Sequence, residues 1–278
     1  MNRGWFRNGM LAAGLAFLYL PILSMIVFSF NNSRLVTVWD AANSPTLRWY
    51  ARLFDNEQLL GAAWISLQIA AMTASGAVLL GTLAGLVLAR FGPFRGRAVL
   101  AAMTTAPLVM PEVITGISLL LLFVALEQWL GWPAGRGMLT ITLAHITFAM
   151  AYVTVIVQSR LAGFDDALEE AALDLGARPT TVFFRITLPL ITPALVSGWL
   201  LAFTLSWDDV VISQFVAGPG SSTLPMEVFS RVRRGVSPDI NALATLVVLV
   251  VALGVVLSTL YLRREEKRRS REQQLARQ

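Results

Sequence analysis

Residues 169–189 read EEAALDLGARPTTVFFRITLP and lie between two long apolar runs of the chain. This stretch fits two short helices joined by a bend. Glu169 and Glu170 stand near the start of the first helix, where carboxylates complement the helix dipole. Gly176 can end that helix in a left-handed conformation, and Pro179 suits the first turn of the next helix. The pattern therefore predicts a bent, helical loop between two hydrophobic segments.

Long apolar runs extend on both sides of this loop. The chain has 278 residues, of which 56% are hydrophobic and 14% are charged, whereas soluble domains carry about 25% charged residues. A bilayer is crossed by about 20 apolar residues in a helix. The sequence predicts an all-α membrane protein with six transmembrane helices in a single domain, residues 1–278. The predicted spans are residues 10–30, 62–89, 98–125, 138–157, 190–217 and 242–262.

Two of the spans contain local signals. Gly76, Gly81 and Gly85 lie within the second span, and small residues let neighbouring helices approach closely in a membrane. Pro107 and Pro111 lie within the third span, and proline removes a backbone donor and breaks or kinks a helix. We therefore expect a closely packed second helix and an interrupted third one.

The distribution of basic residues predicts the orientation in the membrane. Most of the 22 Lys and Arg residues lie on the side that holds the N-terminus, and cytoplasmic loops are the ones enriched in these residues. Both termini are therefore expected in the cytoplasm. The same reasoning places the segment 160–189 and a basic tail, 263–278, on the cytoplasmic side.

Several classes of function are excluded by composition. The sequence has no cysteine and a single histidine, His145, so neither a thiolate nor a histidine-built metal site is available. The phosphate-binding pattern G-x-x-x-x-G-K-[ST] does not occur, and no serine–histidine–acid set is evident from the sequence. We expect no cofactor in this chain, no enzymatic activity and no nucleic-acid partner. His145 is interpreted as a hydrogen-bonded packing residue in preference to a proton relay.

The loop at 160–189 contains a spaced motif. It reads E-A-A at 170–172, then G at 176 after three residues, then I-x-L-P at 186–189 after nine more. This resembles the signature of the permease subunits of ABC importers, and it falls between the fourth and fifth predicted spans. The resemblance implies the type I importer permease architecture, with a coupling helix that docks in a groove of a separate ATPase subunit. It assigns the coupling role to Glu170, Ala171, Ala172, Gly176, Ala177, Ile186, Leu188 and Pro189.

Three acidic residues lie inside predicted spans, namely Glu112, Asp208 and Asp209. Each ionisable residue costs roughly 2.5–3.5 kcal/mol at the centre of a spanning helix, so such residues are functional candidates. No basic residue lies in any predicted span, which indicates an acidic passage for a cation. Adjacent helical residues point about 100° apart. We therefore expect one of the two aspartates to face the passage and the other to cap, pair or meet water. Trp207 is expected to contact an alkylammonium through its ring face.

Other stretches are similar to the polyamine permeases of this family, and most similar to the second permease subunit of putrescine importers. They are PLVMPEVITG (107–116), LSWDDVVIS (205–213), GPGSSTLP (218–225) and GVSPDINA (235–242). The resemblance implies putrescine as cargo and a location in the bacterial inner membrane. It also implies a heterodimer with a second permease, two ATPase subunits that hold ATP and Mg, and a periplasmic polyamine-binding protein. Trp207 stands where leucine is commoner in that group.

Two alternatives remain open from the sequence. The first is a permease of the same family for another solute, such as iron, thiamine or phosphonate. The second is a secondary transporter or channel that needs no ATPase. The basic cluster Arg231, Arg233 and Arg234 would repel a cationic substrate, so we expect it to dock the binding protein or to form salt bridges in the assembly.

Overall fold

The computed structural model describes residues 3–33, 35, 38–163, 165, 167–235 and 237–275, of which residues 3–5, 255, 257–259 and 261–275 are described by their backbone alone. All regular elements in these ranges are helical. They are α1 (Arg3–Phe28), α2 (Arg48–Phe54), α3 (Glu57–Arg90), α4 (Arg97–Val109), α5 (Glu112–Leu130), α6 (Met138–Ala162), α7 (Ala167–Asp174), α8 (Pro179–Val182), a π-helical turn (Phe183–Thr187), α9 (Leu188–Trp207), α10 (Val211–Val216), α11 (Leu224–Arg234) and α12 (Pro238–Leu275).

The chain divides into two compact units, Met1–Leu60 with Ser230–Gln278, and Gly61–Phe229. In the first unit, α12 packs against α1 and α2. The apolar side chains of α1 are exposed, and Phe17 keeps 87% of its surface accessible. Such exposure along a 23-residue apolar helix is typical of a surface that contacts lipid, because soluble proteins rarely expose so large an apolar patch to water.

The core of the second unit is built around α6. Ala74 and Ala77 of α3, Val153 of α6, and Ile191 and Ala202 of α9 form one buried cluster. The apolar side chains of these three helices interlock there, which holds the helices on which the candidate sites lie.

The glycines of α3 lie against α6, as predicted. A Cβ atom at Gly81 would stand 2.7 Å from the Cβ of Val153, and one at Gly85 would stand 2.9 Å from Cγ1 of Val157. Neither distance leaves room for a side chain, so these glycines allow α3 to approach α6 more closely than larger residues would.

The third predicted span, 98–125, is two helices rather than one. Helix α4 ends at Val109, and α5 runs from Glu112 to Leu130, five residues beyond the predicted end. Met110 and Pro111 both have an extended ψ of 134°. Met110 avoids the helical region because it precedes a proline. The predicted break at the prolines is confirmed.

The fifth predicted span, 190–217, is also interrupted. Helix α9 ends at Trp207, and the short helix α10 begins at Val211. The Asp209 carboxylate accepts hydrogen bonds from the backbone N–H groups of Ile212 and Ser213, and acceptors of this kind favour a helix start over a continuous helix. A single unbroken span was therefore the wrong expectation for this segment.

Five helices among the described residues are long and apolar enough to cross a membrane. They are Phe6–Phe28, Glu57–Arg90, Glu112–Leu130, Met138–Ala162 and Pro179–Trp207, and shorter apolar helices are Arg97–Val109 and Pro238–Gly254. The predicted sixth span, 242–262, lies within α12. That helix continues through the predicted basic tail as far as Leu275, and residues 276–278 lie outside the described ranges. The count of six spans and the side of the termini stay predictions.

Candidate functional site

The first helix of the motif-bearing loop ends in a glycine cap. The N–H of Ala177 donates to the carbonyl of Ala172 at 3.1 Å, and the N–H of Gly176 donates to that of Leu173 at 2.8 Å. Gly176 has φ of +85°. These are the two bonds and the left-handed residue of a Schellman cap. The structure thus gives a physical reason for the spacing between the alanines and the glycine of the motif, and it confirms the left-handed helix end.

The second part of the loop begins at a proline, as predicted. Pro179 occupies the first turn of α8, where its missing N–H is not needed. The π-helical turn Phe183–Thr187 then leads directly into α9. Val182 is buried, whereas Ile186 is partly buried. The chain from α8 to α9 is therefore continuous and helical, so a displacement of α8 has a direct mechanical route into α9.

A polar contact ties the two parts of the loop together and to α3. Thr187 donates its hydroxyl to Oε1 of Glu169 at 2.7 Å, and Nη2 of Arg90 lies 3.4 Å from the same oxygen. The side chains of Arg90 and Glu169 are each 21% exposed. Sequence reasoning placed Glu169 only as an acid near a helix start. Its partners are distant in the chain and were missed.

One face of α7 is left uncovered within this chain. None of the residues of α7 is buried, and Glu170 is exposed. Leu175, directly after the helix, keeps 89% of its surface accessible. The exposed Glu170 and Leu175 give this segment both a charge and an apolar surface, which suits a protein partner.

A cleft of about 580 Å³ opens where the two helix breaks meet. Its wall includes Glu112 and Thr115 at the start of α5, Tyr152 of α6, and Asp208 at the end of α9. The complete lining is Pro107, Leu108, Met110, Pro111, Glu112, Thr115, Phe148, Tyr152, Leu205, Asp208, Asp209, Val210, Val211 and Ile212. These residues include acids but no lysine, arginine or histidine, so the fixed charge of the cleft is negative.

The two adjacent aspartates have different surroundings. Asp208 is exposed, whereas Asp209 is buried. The Asp209 carboxylate accepts the N–H of Ser213 at 2.8 Å and that of Ile212 at 3.3 Å. Asp209 is thus engaged in capping α10, and the Asp208 carboxylate is the one left accessible in the cleft.

His145, in the N-terminal half of α6, is fully buried and makes three polar contacts. Its Nδ1 lies 2.7 Å from the hydroxyl of Ser206, and its Nε2 lies 3.1 Å from both Oδ2 of Asp209 and the hydroxyl of Ser213. These four residues are called the His145 quartet below. His145 is thus buried and hydrogen-bonded, as expected of a packing residue; the preference for that role over a proton relay stays a prediction. Ser206 and Ser213 were missed, although polar residues in an apolar span were a usable signal.

Two sequence-predicted groups lie elsewhere. Trp207 does not line the cleft, and its ring stacks at 6.0 Å on Phe203, which stacks at 5.3 Å on Trp199. Arg231, of the basic cluster, pairs within its own unit with Asp239 at 3.2 Å. Among the described residues no set of three His, Cys, Asp or Glu side chains could hold a metal ion.

Residues 77–271 match the protein family described as "Binding-protein-dependent transport system inner membrane component". The chain belongs to this family. As a binding-protein-dependent permease it is a multi-pass inner-membrane transport component and not an enzyme. The match covers α4–α11 in full, together with the C-terminal part of α3 and most of α12, and so contains both the cleft and the motif-bearing loop.

Individual relatives of this permease extend over nearly its whole length. The putrescine transport system permease protein PotI of Escherichia coli (strain K12) is 56% identical over 275 residues, or 99% of this chain and 97% of that protein. The spermidine/putrescine transport system permease protein PotC of the same strain is 42% identical over 261 residues, or 94% of this chain and 95% of PotC.

Solved structures show the same fold at low identity. A bacterial ABC transporter involved in the import of the acidic polysaccharide alginate aligns with a TM-score of 0.69 at 14% identity, covering 94% of this chain and 97% of that chain. The MetNI methionine ABC transporter in an inward-facing conformation aligns with a TM-score of 0.58 over 72% of this permease. The all-α ABC-importer permease fold is therefore confirmed.

Proposed function

We propose that this permease passes a polyamine, putrescine before others, from the periplasm to the cytoplasm. The observation that carries the proposal is the cleft at the two helix breaks, where the accessible carboxylates of Glu112 and Asp208 face a wall without basic residues. A diamine carries a positive charge at each end, and two carboxylates in one apolar-walled cleft complement it. The names of PotI and PotC, which match over nearly the full chain, support the same class of cargo.

The rest of the cleft wall suits the carbon chain of such a substrate. Phe148 and Tyr152 supply aromatic surface, and Leu108 and Val211 supply aliphatic surface. Methylene groups gain from apolar contact, while aromatic rings attract ammonium groups at their faces. Two carboxylates in a cleft that is otherwise lined largely by apolar and aromatic side chains suit a diamine better than a metal cation.

The energy source for this transport is on other subunits. We propose that α7 and its Schellman cap dock on a separate ATPase subunit through Glu170, Ala171, Ala172, Gly176 and Ala177. The docked segment is connected to α9 through Ile186 in the π-helical turn and through Leu188 and Pro189 in the first turn of α9. The full assembly has this chain, a homologous second permease, two ATPase subunits and a periplasmic polyamine-binding protein. The predicted topology, six spans with both termini in the cytoplasm, puts α7 on the side of the ATPase subunits.

Uptake of radiolabelled putrescine tests the cargo. The chain is expressed with its cognate second permease, ATPase and binding protein in cells that lack their own polyamine importers. Uptake should require all four components, unlabelled putrescine should compete, and butane-1,4-diol should not, because it has the same carbon chain without charge. Transport of an anionic or uncharged solute by the complete assembly, with none of putrescine, contradicts the proposal.

The contact between Glu169, Thr187 and Arg90 gives a second prediction. Glu169→Ala should lower uptake by about tenfold, since a hydrogen bond to a charged group and a partly exposed ion pair contribute about 1–3 kcal/mol together. Glu169→Gln keeps an oxygen for the Thr187 hydroxyl and should cost about threefold or less. Uptake per assembled complex is the measurement, with Asp174→Asn in the same helix as the control. Equal effects of the alanine and glutamine variants would contradict a role for the Thr187 bond.

A further inference from the structure

The polypeptide at the second helix break has two opposite faces. On one face the Asp208 carboxylate is accessible in the cleft. On the other face the Asp209 carboxylate turns into the protein, although the residue also borders the cleft. Its side chain is only 6% exposed and lies 3.1 Å from His145. The contacts that hold the Asp209 side chain therefore also position Asp208, because the two residues are joined by one peptide unit.

The His145 quartet joins three separate helical elements at this point. His145 belongs to α6, Ser206 lies in the last turn of α9, and Ser213 lies in α10. Asp209 sits in the break between α9 and α10. An imidazole has two ring nitrogens that can form hydrogen bonds. A single side chain therefore contacts Ser206 before the break and Ser213 after it. The ring also packs edge-on against Phe148, at 5.5 Å, and Phe148 lines the cleft.

The chemistry of the quartet assigns the roles of its atoms. An ionised carboxylate only accepts hydrogen bonds, so Nε2–H of His145 donates to Asp209. With its proton on Nε2, a neutral imidazole accepts at Nδ1, and the Ser206 hydroxyl donates there. In these apolar surroundings a carboxylate that loses such a donor is strongly disfavoured. His145 thus stabilises the break in this form, together with the backbone N–H groups of Ile212 and Ser213 that also donate to Asp209.

A serine–histidine–aspartate set can also activate a nucleophile, but the geometry here does not suit that role. Ser206 is 5% exposed and is not among the residues that line the cleft. Its hydroxyl is within the helix packing, where no substrate carbonyl can approach it. The quartet is therefore a structural connection within the helix packing, and of its four members only Asp209 borders the cleft.

We propose that His145 is a positioning residue for transport: it holds the helix break at 208–210 and thereby fixes the direction of the Asp208 carboxylate in the cleft. The transport role of this contact rests on the proposed function of the cleft in binding a cationic amine. His145 itself does not touch the substrate, and its effect passes through Asp209 to Asp208.

Substitutions at His145 separate this role from simple packing. Gln can place an amide N–H near the position of Nε2 and reach Asp209, whereas Asn is one methylene shorter and cannot. We expect His145→Asn and His145→Leu to lower putrescine uptake by about tenfold, and His145→Gln to stay within about threefold of the unsubstituted transporter. Equal uptake by the Asn and Gln variants in the assembled transporter overturns the proposal.

A double-mutant cycle checks the route through Asp209. Once Asp209→Asn is present, the change His145→Asn should alter uptake by less than about twofold, because residues of one network do not act independently. Additive losses in this cycle would contradict a shared action. Thr154→Val is the matched control, since Thr154 is a fully buried polar residue of the same helix whose hydroxyl donates to the backbone carbonyl of Met150 in α6, at 2.7 Å.

Thiol labelling tests the position of the break without any substrate. The chain has no cysteine, so Ile212→Cys introduces a single thiol at a site that is 1% exposed. In the assembled transporter in membranes, His145→Asn should raise the rate of maleimide labelling at this thiol by about tenfold, because local opening exposes buried groups. Thr154→Val should leave the rate unchanged.

The two measurements separate the two proposals. Faster labelling in the His145 variant, combined with no amine uptake by the unsubstituted transporter, supports the positional role of His145 and rejects the cargo. Unchanged labelling, combined with normal putrescine uptake by the unsubstituted transporter, rejects the role of His145 and leaves the cargo supported.

Discussion

Replacement of Gly176 by valine is expected to reduce ATP-driven uptake by at least about tenfold. Gly176 has φ of +85°, a conformation that costs an L-residue roughly 1–2 kcal/mol and a β-branched residue more. Valine would relieve this strain by shifting the backbone, which breaks the hydrogen bonds that close α7. The face of α7 that we propose for ATPase docking would then be presented at a different angle. The effect on uptake should exceed the effect on stability, because the strain is confined to an exposed loop.

A series of substitutions at Gly176 tests this prediction more stringently than valine alone. Asparagine tolerates the left-handed conformation better than other non-glycine residues, so Gly176→Asn should retain about half of the uptake and Gly176→Ala should fall between asparagine and valine. Gly163→Ala is the matched control, since Gly163 has an ordinary φ of −90° and a Cβ there meets nothing closer than 3.9 Å. Uptake and ATPase stimulation by the loaded binding protein are measured in assembled transporters. A valine variant as active as the control would contradict the docking role of this loop.

The helix breaks differ in how far the sequence could predict them. The break at Met110 and Pro111 follows from covalent structure, because proline lacks the N–H and restricts the residue before it. The break at 208–210 has no proline or glycine to mark it. It depends on the Asp209 carboxylate, which is held by His145, 64 residues away in the chain. A pattern of hydropathy contains no information about such a contact.

The same distinction applies within the motif-bearing loop. Gly176 and Pro179 act on their own backbone, so their positions predicted a helix end and a helix start correctly. The π-helical turn at 183–187 and the Glu169 contacts were not predicted. Arg90 approaches Glu169 from 79 residues away, and only the packing of α3 beside the loop brings them together. Local chemistry was therefore readable from the sequence, and the long-range polar contacts were not.

The candidate cleft depends both on features that the sequence predicts and on long-range contacts that it does not. The unusual acids inside apolar spans identified Glu112, Asp208 and Asp209, all of which line the cleft. The expectation that the adjacent aspartates differ followed from helical geometry alone. Which of the two carboxylates is accessible depends on the hydrogen bonds that hold Asp209 in the His145 quartet. Trp207, chosen for its ring chemistry and its place in the sequence, lies in an aromatic stack instead.

Removal of the two accessible charges in the cleft is the second large effect that we expect. Asp208→Asn and Glu112→Gln should each lower the maximal rate of putrescine uptake by about tenfold, since each removes a charge-assisted contact with an ammonium group at little cost in volume, and tenfold corresponds to about 1.4 kcal/mol. The binding protein sets how uptake depends on substrate concentration, so the maximal rate should change more than the half-saturating concentration.

The double variant distinguishes two ways in which the carboxylates can act. If each carboxylate contacts a different end of the diamine, the losses are independent and the double variant falls by about a hundredfold. If both contact one end, the double variant is little worse than either single one. Glu127→Gln is the control, because Glu127 lies on the same helix as Glu112, outside the cleft, and glutamine retains the oxygen that accepts the N–H of Gly135. Unchanged uptake in the double variant, with normal assembly, would reject an acidic passage through this cleft.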